Sequence, residues 1–230
     1  MSQNLQHSIE FGNNATVFRH RVLRNTYWLL ALSMIPTVLG AWLGVQMHFS
    51  FFPGRPGLSM IAFMAVAFGF MYAIEKTKET ATGVAVLLGF TFFMGLMLSS
   101  LISHTLAYSN GASLIMTAFG GTATIMAVMA SIATTSKRDF SGLGKWLFVG
   151  LMVIIVASVA NIFLQLPALY FTVSVIAIGI FSAYILYDVQ QIINGGETNY
   201  ISATLRIYLD VYNIFVNLLS LLGIFGGNRD

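Results

Sequence analysis

Two aspartates, Asp188 and Asp210, sit at the edge of or inside long apolar runs near the end of the chain. A carboxylate in a membrane span costs about 2.5 to 3.5 kcal/mol on insertion scales, so it persists where it faces protein, water or a counter-charge. Two acids brought together there would share a proton, because like charges in a poorly solvated site do not ionise together easily. That is the chemistry of a pH sensor. With both protons gone, the same oxygens would attract a hard cation such as calcium, held weakly and with waters, as passage requires. For Asp188 alone, the alternative is an acid snorkelling at the headgroup boundary.

Around Asp210, the residues Arg206, Asp210, Asn213, Asn217 and Ser220 are spaced four, three, four and three, which places them on one helical face. This supporting stripe is either one wall of a hydrated path or a set of interhelical hydrogen bonds that fastens the last span. Arg206 lies four residues before Asp210, a spacing suited to an intrahelical ion pair that would hold Asp210 ionised. Such a pair competes with proton sharing.

Other residue types offer less. His48 and His104 fall between spans with no acid beside them, so they make no metal-ligand set and read as surface histidines. Ser99, Ser100, Ser103, Thr122 and Thr124 lack a nucleophile-elbow context and read as helix packing. The chain has no cysteine, which excludes disulfides and thiolate catalysis. With no nucleophile, cofactor loop or metal cluster in view, the expectation is a protein that is not an enzyme and has no cofactor beyond transient calcium.

The elements that position the aspartates follow from composition. Of 230 residues, 57% are hydrophobic and 8% charged, against roughly a quarter charged in soluble domains, so lipid is the expected solvent. The net charge of +3 comes from basic residues scattered between spans, which reads as a topology signal and not as a nucleic-acid surface. Apolar runs occupy about 27–47, 57–74, 81–103, 111–133, 145–165, 168–188 and 203–225, each about one bilayer long as a helix. They show no strand-like alternation of polar and apolar residues. Breakers separate them, notably Phe52-Pro53-Gly54-Arg55-Pro56-Gly57, Tyr108-Ser109-Asn110-Gly111 and Gln165-Leu166-Pro167, the last making spans five and six a tight hairpin. The expected organisation is a polar cytoplasmic tail over 1–26 and one seven-span membrane domain over 27–230. The tail lacks the order of a cleavable signal, and it is expected to be retained and disordered over its first 20 or so residues.

Lysine and arginine set the orientation. Arg19, Arg21, Arg24, Lys76, Lys78, Lys137, Arg138 and Lys145 lie at one set of span ends, and Arg55 and Arg229 at the other. The N-terminus is therefore expected in the cytoplasm and the C-terminus outside. Both aspartates then fall toward the cytoplasmic side, Asp210 roughly 10 Å into its span. Tyr27, Trp28 and Trp146 sit at span ends as interfacial anchors, and Glu75, Lys76, Lys78 and Glu79 form a neutral solvated turn. Gly40 and Gly44 have the spacing for close helix approach, read as packing within the bundle rather than a dimer contact.

Three stretches carry a resemblance: Val22-Leu23-Arg24-Asn25-Thr26-Tyr27, Ala160 to Pro167 (ANIFLQLP), and Gly195-Gly196-Glu197-Thr198-Asn199-Tyr200-Ile201. With Tyr184 to Asp188 and Tyr208 to Phe215, the chain from about residue 19 onward resembles the Bax inhibitor family in its bacterial YccA branch. The resemblance implies six helices around a central seventh, the C-terminal one. It also implies that Asp188 and Asp210 match the paired aspartates that close the cytoplasmic side in family members that leak calcium. Some members add an arginine or glutamate on the second helix, and this sequence has neither between Gly57 and Ile74. The YccA branch implies a bacterial inner-membrane protein that binds the membrane-anchored AAA protease FtsH and restrains it, with the tail as handle.

Overall fold

The computed structural model describes the backbone of residues 2–52 and 54–227, with side chains from Val17 onward apart from Pro53 and Pro56. Seven α-helices follow one another: α1 (Ser2–Met47), α2 (Pro56–Thr77), α3 (Ala81–Leu106), α4 (Gly111–Thr135), α5 (Leu143–Leu164), α6 (Pro167–Asn194) and α7 (Tyr200–Gly226). Each contains a window long and apolar enough to cross a membrane, that of α1 starting at Val17. This is an all-α, seven-helix membrane-spanning fold.

Helix ends fall where the backbone chemistry changes. Between α5 and α6, Gln165 closes α5 at φ 50°, its N–H donating to the Asn161 carbonyl at 2.8 Å. Asn161 Oδ1 accepts from Leu166 N–H at 2.9 Å, and Pro167 opens α6, so the hairpin expected at these residues forms. α6 runs six residues past Asp188, through Gln190 and Gln191, and stops at Gly195, whose φ of 80° suits a residue without Cβ. The polarity change at 26/27 does not break α1, because no glycine or proline interrupts the described stretch from Val17 to Tyr27 and helix propagation is cooperative. The expected disordered handle falls largely on residues whose side chains lie outside this description, while over 17–20 the backbone is helical.

α7 packs against α1, α2, α3, α4 and α6, and Ile207, Tyr208, Ile214 and Leu219 are fully buried in its faces. α5 rests on α6 alone among the described residues. In lipid, tight packing and hydrogen bonds must supply what the hydrophobic effect supplies in water. Helices α1 and α3 show this most fully, since theirs is the most extensive helix pairing among the described residues. A Cβ at Gly40 would overlap the Phe92 carbonyl, and one at Gly95 would overlap the Thr37 carbonyl. The small residues of α1 therefore serve packing inside the bundle. At the level of Thr37, the Tyr208 hydroxyl lies 2.9 Å from Thr37 Oγ1 and 3.4 Å from the Thr91 carbonyl, linking α7 to α1 and α3.

The serines and threonines of α3 and α4 mostly satisfy their own helices: Ser99 bonds Leu96 O, Thr122 bonds Ala118 O, and Thr124 bonds Gly120 O. Trp28 and Trp146 are largely exposed, as anchors should be. Tyr27 differs, because its hydroxyl is buried without a partner.

Candidate functional site

The α6–α7 connection determines where the aspartates stand. Asn199 caps α7, its Oδ1 accepting from Ile201 N–H at 2.8 Å and Ser202 N–H at 3.1 Å, so the helix starts at Tyr200, three residues before the apolar run. Its amide donates to the Lys78 carbonyl at 2.9 Å and to Glu79 Oε1 at 3.1 Å. The α2–α3 turn is thus tied to α7, and Glu79 has a protein partner beyond the solvent expected for it. Asn199→Ala would lose both the cap and this tie, with an expected cost of about 1 to 2 kcal/mol. A thermal melt in detergent checks it: a melting temperature equal to wild type would remove Asn199 from this role.

With these helix ends, Asp188 lies six residues before the end of α6, about 9 Å from it, and Asp210 lies ten residues into α7, about 15 Å deep. Both are deeper than the apolar runs alone place them. Asp188 is 7% exposed and Asp210 5%, so neither snorkels. Their carboxyl groups lie against each other, close enough to share a hydrogen bond. An ionised carboxylate only accepts, so a bond between two carboxyl groups requires a proton on one of them. Asp210 Oδ2 is buried and has no protein partner.

Arg206 does not pair with Asp210. Its Nη2 stands 3.4 Å from Glu197 Oε2, with the side chain half exposed, while both aspartates remain within its electrostatic reach. In the stripe beyond Asp210, the side-chain bonds of the two asparagines stay within α7: Asn213 Nδ2 donates to Leu209 O and Asn217 Nδ2 to Asn213 O, each at 2.8 Å. These bonds satisfy the amides locally and leave the fastening of α7 to tyrosines such as Tyr208 and Tyr212, whose hydroxyl lies 3.3 Å from Met94 O.

Two residues of this region carry no helical-spacing signal. Glu197 precedes Arg206 by nine residues across a loop, and its Oε1 is fixed by the N–H groups of Thr198 at 3.0 Å and Asn199 at 2.9 Å. Gln190, two residues past Asp188, donates to the Arg138 carbonyl at 2.7 Å and accepts from Phe140 N–H, anchoring the α4–α5 loop to α6. In that loop the Ser141 N–H donates to Asp139 at 2.9 Å and holds its carboxyl below the usual carboxylate range. The N-terminal half of α1 reaches the same end, where Arg19 Nη1 donates to Ile193 O at 3.5 Å. All connections around the carboxylate pair therefore gather at the basic end of the bundle.

A seven-helix polytopic membrane protein with a buried aspartate pair between its last two spans is the class defined so far. The chain belongs to the family described as "Inhibitor of apoptosis-promoting Bax1", which matches residues 19–227. It is 39% identical over 204 residues to "Modulator of FtsH protease YccA" of Escherichia coli (strain K12), covering 89% of this chain and 90% of that protein. It is 35% identical over 220 residues to the uncharacterized protein NMA0420 of Neisseria meningitidis, covering 95% and 97%. It is also 37% identical over 216 residues to the uncharacterized protein Cj0236c of Campylobacter jejuni, covering 94% and 93%. The chain is thus a polytopic inner-membrane protein of the Bax inhibitor family, related to the YccA proteins.

Proposed function

We propose that this chain binds and modulates the membrane protease FtsH. The observation that carries this reading is its 39% identity, across 89% of its length, to a protein described as a modulator of that protease. The charge bias supports it: Arg19, Arg21, Arg24, Lys76, Lys78, Lys137, Arg138 and Lys145 oppose Arg55 and Arg229, a distribution that favours a cytoplasmic start of α1 and a C-terminus outside. The polar first residues then lie on the side of a cytoplasmic handle. Tagged full-length chain is expected to retain FtsH from detergent-solubilised bacterial membranes, and deletion of residues 2–20 to reduce recovery at least fivefold. If full-length protein never retains FtsH, the reading fails.

A second reading is favoured by the buried carboxylate contact itself. Asp188 and Asp210, closed while they share a proton, form a pH-responsive gate for calcium or protons on the cytoplasmic side, and the buried Asp210 Oδ2, which no donor satisfies, becomes available to a cation when the pair opens. Calcium entry into proteoliposomes across a pH series tests it. Both activities can reside in one molecule, since one uses the tail and the other the bundle.

A further inference from the structure

The Gly195 to Asn199 loop holds a charge that neither reading uses. Glu197 is not a free surface acid: two backbone N–H groups grip its Oε1 and leave Oε2 turned to Arg206. Arg206 is 54% exposed and makes one contact with Glu197 at 3.4 Å, a long single-point ion pair of a kind that contributes next to nothing on a surface. One helical turn away stands the buried Asp210, with Asp188 against it. A guanidinium has five donors on a long flexible stem, so Arg206 can turn from one acid to the other without moving backbone.

We propose that Arg206 is an exchangeable counter-ion of the Asp188–Asp210 pair, parked on Glu197 while the two carboxyl groups hold each other. The proposal deepens the gate reading by adding a regulator to that site. When the pair carries one shared proton, it bears one charge instead of two. Loss of that proton leaves two charges in a dry site, and the nearest mobile cation is Arg206. Glu197 competes for that cation, and its backbone anchorage keeps the competitor in place.

Few other groups intervene. Tyr184 on α6 faces both carboxylates, Glu197 acts on Asp188 from the loop, and Lys78 at the end of α2 is a second cation within electrostatic reach of Glu197. Arg19, Arg21 and Arg24 on α1, Glu75 and Lys76 on α2, and Lys145 on α5 are exposed at the helix ends, while α3 and α4 carry no charged residue at this end.

Carbodiimide labelling gives a readout independent of flux and of the protease, since a hydrophobic carbodiimide modifies buried carboxyl groups in their protonated form. Purified full-length protein is labelled with dicyclohexylcarbodiimide across pH 5 to 9, and modification of Asp188 and Asp210 is quantified by mass spectrometry. Glu197→Gln releases Arg206 toward the pair, so labelling at pH 7 is expected to fall at least threefold and the half-labelling pH to move down. Arg206→Gln is expected to move it up, and Glu197→Gln with Arg206→Gln to follow Arg206→Gln alone. Glu197→Asp, which keeps the charge, should stay near wild type and controls for a folding defect. A profile that ignores Glu197→Gln, one that shifts equally with and without Arg206, or no labelling of either aspartate at any pH overturns the counter-ion. Absent calcium flux with the expected labelling pattern overturns the gate and leaves the counter-ion standing.

Discussion

Gly95→Val is expected to leave little folded protein. A Cβ at this position would overlap the Thr37 carbonyl, and Ala41 N is 3.0 Å away, so the obstacle is backbone on a facing helix and not a side chain that can rotate. Relief requires α1 and α3 to move apart. Their separation also opens the Gly40–Phe92 approach and stretches the hydroxyl contact between Thr37 and Tyr208. Overpacking in a close-packed interior costs about 1 to 3 kcal/mol where side chains can yield. Here they cannot, and about 4 kcal/mol is the expected loss, among the large values that such clashes produce. That corresponds to a melting temperature lower by roughly 10 °C. Scanning fluorimetry and gel filtration in detergent measure it. Gly69→Val is the control, because a Cβ there meets nothing within 4 Å. Equal melting temperatures for the two variants would reject the account of the α1–α3 interface.

Hydropathy and breakers made the number and type of the elements legible, because a bilayer demands helices of a certain length and turns that end them. The α5–α6 hairpin was readable at Asn161, Gln165 and Pro167 for the same reason. Depth was less legible. Gln190, Gln191 and Asn194 lower the apolar count after Asp188, yet they remain helical because hydrogen bonding carries α6 to Gly195. The extra turns, with the early start of α7 under its Asn199 cap, put both aspartates further inside than polarity alone suggests.

Partnership across the loop was not legible at all. Arg206 has helical spacing to Asp210, so sequence favours that pair, and only the folded path of Gly195 to Asn199 brings Glu197 into reach instead. Small residues at Gly40 and Gly44 announced close packing without naming α3 as the partner. Periodicity encodes which face of a helix is special. It does not encode what stands opposite.

Asp210→Asn is expected to flatten the pH response of calcium entry into proteoliposomes, which in the wild type should rise at least tenfold from acidic to alkaline pH. The sign follows from what holds the pair. In the proposed gate, one proton bridges Asp188 and Asp210 at low pH and holds α6 and α7 together at that level. As pH rises that proton leaves, and two charges about 4 Å apart at an effective dielectric near 20 repel by about 4 kcal/mol. Such a term outweighs any single hydrogen bond in this region, worth roughly 1 kcal/mol net. The two helices then separate, and the freed oxygens attract a hard cation. An asparagine amide donates to the Asp188 carboxylate without needing a proton, so the contact in Asp210→Asn survives at every pH and flux stays low throughout. Asp188→Asn should behave alike. Asp210→Ala removes the partner without replacing the bond, so its flux should be high and nearly independent of pH. The ordering matters more than any single value: asparagine low and flat, alanine high and flat, wild type rising. A rising curve in Asp210→Asn would mean that the carboxylate contact does not close the path.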